Sequence, residues 1–98
     1  MNSKNAKILQ ELQDLDITLE ILIGHLLAAD SDKSHEAVTV LLFQALDKFG
    51  AESAAMKQFF PVLDTIKSRI DANQLEGALG QTRSFQSQLK EVMQIVSK

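Results

Sequence analysis

Two imidazoles, His25 and His35, are the first places where this chain could carry chemistry. His35-Glu36 opens like H-E-x-x-H, in which two histidines one helical turn apart grip zinc, but the second histidine's position is held by Thr39. Di-iron sites in helical bundles need a glutamate three residues before a histidine on each of two helices. Here Asp32 precedes His35 by three, and no second such pair exists. The chain has no cysteine, which excludes disulfides, thiolate metal sites and a cysteine nucleophile. Asp14 and Asp16 lie two apart, so on a helix their carboxylates point in different directions, and they read as solvated side chains. Gly77 and Gly80 are too closely spaced to cradle a phosphate. No serine has a histidine and an acid at a spacing that builds a triad. The expectation is a protein that is not an enzyme and takes no metal or cofactor.

His25 invites one comparison, with phosphotransfer domains, which carry a reactive histidine on a four-helix bundle. Those domains follow the histidine with a lysine and a glycine; here Leu26, Leu27, Ala28 and Ala29 follow. A phosphotransfer-like signalling domain using His25 is therefore kept as an alternative, beside the plainer reading of a flanking, partly exposed histidine. The Arg-x4-His pattern of small helical ribonucleases is missing, since Gln74 and Gln88 stand five residues after Arg69 and Arg83. Ten basic against thirteen acidic side chains leave a charge of −3, with neither Trp nor Tyr to stack on bases, so no nucleic-acid partner is expected. The N-terminal stretch shows no basic start followed by an apolar run, and the longest apolar segment, Ile21 to Ala29, contains His25. A membrane span needs about 20 apolar residues. The expected location is the cytoplasm, with no membrane partner.

What the sequence specifies well is the frame. Its 98 residues suit one domain, and 45% hydrophobic residues suit a folded one. Over residues 4–29, Ile8, Leu12, Leu15, Leu19, Leu22 and Leu26 recur at steps of 4, 3, 4, 3 and 4, one face of a long helix. Asn2 or Ser3 is its candidate N-cap. A second helix is expected from near Asp32 or Ser34 to Phe49, burying Val38, Leu41, Leu42, Ala45, Leu46 and Phe49, with Gly50 supplying positive φ after it. Residues 52–72 bury Met56, Phe59, Leu63, Ile66 and Ile70, and Pro61 predicts a kink or a break there because it cannot donate to the Lys57 carbonyl. Asn73 and Glu76 stand at capping-box spacing before a last stripe of Leu75, Ala78, Thr82, Phe85, Leu89, Val92 and Val96. Gly77 and Gly80 weaken the entry to that helix, so its ordered part starts near Asn73 or only near Gln81; alternatively they offer a bare strip to a partner. Seams repeating every 3.5 residues and short connections predict an all-α, antiparallel four-helix bundle over residues 1–98.

Apolar residues remain after the core is filled. Ile17, Ile21, Gly24 and Ala28 fall opposite the leucine stripe of the first helix, and Val40 and Phe43 fall across from the stripe of the second. Either these residues belong to a wide core arc, with Gly24 and Ala28 admitting a neighbouring helix, or they form a contact face, because monomers seldom expose large apolar patches. On the second reading the chain is a protein-interaction module whose partner is a protein, itself in a homodimer or one dedicated partner. In size and helix count it is similar to bacteriocin immunity proteins, type III secretion chaperones and small phage-encoded regulators, without a diagnostic residue of any. An immunity- or chaperone-type role is thus the alternative to self-association.

Overall fold

The computed structural model describes residues 3–97. Four helices follow one another: α1 (Ser3–Leu27), α2 (Ser31–Phe49), α3 (Ala54–Asp71) and α4 (Leu75–Val96). A cap at Asn2 lies outside the described residues, and Ser3 is already helical. Each helix packs on its neighbours in sequence, and α4 closes the ring against α1. The result is an elongated antiparallel four-helix bundle of 42 × 24 × 17 Å.

The helix ends show why the breaks fall where they do. After α1, Asp30 N donates to the His25 carbonyl and Ala29 N to the Leu26 carbonyl, with Ala29 at φ 55°. This is the paired-bond stop that normally recruits glycine for its left-handed residue. Asp30 then turns its side chain to accept from Lys33 N at 3.0 Å, starting α2. At the end of α2, Gly50 takes φ 78°, as its position predicts, and Ser53 caps α3 by accepting from Met56 N.

The α3–α4 junction corrects the expected capping box. Asn73 adopts φ 58°, and its neighbour Gln74 N donates to the Arg69 carbonyl at 2.7 Å. Asn73 therefore ends α3, a role its side chain tolerates better than most, and cannot also be the extended cap of α4. Gln74 occupies that place without a side-chain cap bond, and α4 is helical from Leu75 through both glycines. In α3 the helix runs unbroken through Pro61. Lys57 and Pro61 are both exposed, so the carbonyl that lacks a donor lies on the solvent side.

The core follows the predicted stripes. Leu12, Leu15, Leu19, Leu22 and Leu26 of α1 meet Val38, Leu41 and Ala45 of α2, Met56, Leu63, Ile66 and Ile70 of α3, and Ala78, Phe85 and Leu89 of α4. Phe59 stands edge to face with both Phe49 and Phe85, at centroid distances of 5.8 and 5.3 Å. Beyond this aromatic wedge α3 and α4 leave an open groove of about 340 Å³, and Val92, expected in the stripe, lines it at 39% exposure. Ser34 is fully buried, and its hydroxyl has no hydrogen-bond partner among the described residues.

Two stability changes follow. Ser34→Ala removes an unserved buried hydroxyl and is expected to stabilise by about 1 kcal/mol, raising the melting temperature by about 4–8 °C in calorimetry. Ala29→Gly relieves the left-handed strain, partly offset by a freer unfolded chain, and is expected to add about 0.5–1 kcal/mol in urea titrations.

Candidate functional site

Polar clasps set the register between neighbouring helices. On the α1–α2 seam, Thr18 Oγ1 donates to Gln44 Oε1 at 2.6 Å and Lys48 Nζ to Asp14 Oδ2 at 3.1 Å. A step of four along α1 thus matches four back along α2, which puts Ile21 level with Leu41 and Ile17 level with Ala45. On the α1–α4 seam, Gln86 Nε2 donates to Asp16 Oδ1 at 3.0 Å and also to Glu20 Oε1. Asp14 and Asp16 are therefore not the solvated pair expected. Pointing apart from one helix, they reach its two neighbours, one on each side. His35 Nδ1 and Lys67 Nζ both meet Asp71 between α2 and α3, and Arg69 Nε donates to Gln81 Oε1 between α3 and α4.

With this register, the candidate face is an outer surface of the α1–α2 hairpin. Ile17 is 60% exposed, Ile21 52%, Val40 51% and Phe43 66%. Gly24 and Ala28 are exposed as well. All six residues of the surplus apolar set lie outside the core, with Val40 and Phe43 at the levels of Leu22 and Leu19. A methyl group placed on Gly24 would meet no atom within 4 Å beyond its own stretch of helix backbone, so this glycine does not serve the approach of a neighbouring helix of its own chain. Gly77 differs, since the Arg69 side chain lies over it and a Cβ there would sit 3.0 Å from the guanidinium. Gly80 is open.

Other apolar side chains also reach solvent. Leu27, Phe60 and Ile95 are exposed, and Phe60 borders a groove of about 350 Å³ with Leu46, Met56 and Pro61. Leu27 and Ile95 were hidden in the sequence because each lies on the edge of a stripe near a helix end; Phe60 sits at such an edge beside Pro61. Thr18, Gln44 and Gln86 were missed for a related reason. Thr18 and Gln86 are polar residues buried by the seams; the one-turn spacing of Asp16 and Glu20 is the signal for Gln86 alone.

The candidate chemical groups do not converge. His25 is half-buried on α1 and His35 lies on the α2–α3 seam. Among the described residues, no group of three His, Asp or Glu side chains is placed to hold a metal ion, and no helix is long and apolar enough to cross a membrane. No family model, curated protein or solved structure matches the chain.

The clasps carry a pH dependence. The hydrogen bond from Lys48, helped by Gln10, holds the Asp14 carboxyl below its ordinary range, and Lys67 followed by His35 does the same for Asp71. Both groups bind protons less readily folded than unfolded, so their contribution is complete above about pH 4 and is lost as pH falls through their folded values. Urea midpoints should therefore drop on acidification below about pH 4. The double change Asp14→Asn and Asp71→Asn should drop less over the same interval.

Proposed function

We propose that this chain is a non-enzymatic helical interaction module that self-associates through the outer face of its α1–α2 hairpin. One observation carries the reading: Ile17, Ile21, Val40 and Phe43, each more than half exposed, lie at matching levels on two adjoining helices. A typical monomer's largest apolar patch is about 300–600 Å² and is often functional. These four side chains present on the order of 400 Å² of apolar surface, taking about 150–250 Å² for a whole aromatic and somewhat less for an aliphatic. A standard interface takes about 800 Å² from each partner, a little over half of it non-polar. The hairpin face is thus sized for one protein partner.

Glu36 and Asp47 stand beside Val40 and Phe43 on α2, and the Asp14 carboxylate at the seam is paired with Lys48, a setting that favours a protein over a nucleic acid or an anionic membrane. The cysteine-free composition suits the reducing cytoplasm, where we place the module.

Sedimentation equilibrium from low to high micromolar concentration tests the reading. The apparent mass should rise toward twice the monomer's. Ile21→Lys and Phe43→Lys should each hold the chain monomeric, with stability changed by no more than about 0.5 kcal/mol, as for other exposed sites. A wild-type chain that stays monomeric throughout would remove self-association, and one that captures a single different protein from its host would reassign the same face to the dedicated-partner role.

A further inference from the structure

Resting on that reading, we infer how the second copy docks: antiparallel, about a two-fold axis crossing α1 between Ile21 and Gly24, with each Ile21 seated on the partner's Gly24. The first argument is the unexplained glycine. Inside a helix a glycine is less favourable than alanine and is kept where a backbone needs positive φ or something approaches closely. Gly24 has no positive φ, and beyond its own stretch of helix backbone nothing in the chain comes within 4 Å of where a side chain would begin. The close approach, if there is one, comes from outside the chain.

The second argument is the order of sizes along the outer ridge of α1: large at Ile17 and Ile21, then small at Gly24 and Ala28. Run antiparallel against itself, this order is self-complementary. Ile21 faces the partner's Gly24 and Ile17 faces the partner's Ala28, ridge into hollow at both ends. Run parallel, isoleucines would meet isoleucines and leave a gap over Gly24 and Ala28. A two-fold contact must match its own surface in this manner, because every pairing occurs twice.

The third argument comes from the other helix. The Asp14–Lys48 and Thr18–Gln44 clasps place the midpoint between Ile21 and Gly24 level with Val40 of α2. One axis therefore serves both apolar strips: Val40 meets its own symmetry mate, and Phe43 lies beside it over the partner's α2. Together the two strips supply about the non-polar share of a single standard-size interface, the area one second copy would cover.

The absence of cysteine makes the geometry directly measurable. Equal amounts of the Ile21→Cys and Gly24→Cys chains, mixed and oxidised under mild conditions, should yield the mixed disulfide well above the statistical share. Excess of either like-with-like disulfide, in a chain that sedimentation shows to dimerise, overturns the antiparallel axis while leaving self-association standing. Gly24→Leu supplies a second measurement. It fills open space in the monomer and should raise the melting temperature measured at low concentration, while weakening dimerisation at least tenfold. Unchanged dimerisation in Gly24→Leu overturns the seating of Ile21 on Gly24, whereas a monomeric wild type defeats the underlying reading itself.

Discussion

The leucines of α1 recur every three and four residues, and that spacing constrains the rest of the molecule. A stripe this regular commits one face of a 25-residue helix to burial and leaves the opposite face to whatever the sequence puts there. Leu15, Leu19 and Leu22 are at most 1% exposed, and the helices that cover them can only be those whose own stripes match in length. α2 and α4 do so from either side, with α3 completing the ring. Since α1 is shared by two of the four seams, what lies on its flanks also decides how the bundle is clasped.

Those flanks are used economically. Asp14 and Thr18 turn toward α2, while Asp16 and Glu20 turn toward α4. Exposed ion pairs contribute little to stability, typically about 0–1 kcal/mol, so the value of these contacts is in register: they fix which turn of one helix lies beside which turn of the next. Apolar seams alone tolerate a slip of one turn, because a stripe shifted by four residues still meets a stripe. A carboxylate placed opposite an ammonium does not.

The helices, their number and most of their buried faces were legible in the sequence because burial imposes a period, and a period survives without knowledge of the neighbours. The Val38–Leu41–Ala45 stripe and the Met56–Leu63–Ile66–Ile70 stripe are cases in which spacing alone sufficed. Asn73 was misread because one residue type serves both as a helix cap and as a left-handed stop, and only the φ angle separates the two. Val92 keeps the period yet is exposed, because it lines the open groove beside Phe59 and Phe85 instead of being covered by α3. The outward position of Ile17, Ile21, Val40 and Phe43 was open to helical projection, but projection cannot say whether a neighbouring helix reaches that far around. The packing of α2 and α4 on α1 answers that they do not.

The clasp between α1 and α4 has a consequence for what the chain would expose if that seam opened. Gln86 meets its carboxylate partners across 66 and 70 residues, whereas Thr18 and Gln44 are 26 apart. Closing the longer separation costs more chain entropy, so the α1–α4 clasp is the one whose ordering the chain resists more. With α4 detached, the α1–α2 hairpin would be apolar on both sides and open to promiscuous sticking. Asp16 and Glu20 would then stand as a charged fence along the opened edge, repelling other acidic chains until the Gln86 amide returns to occupy them.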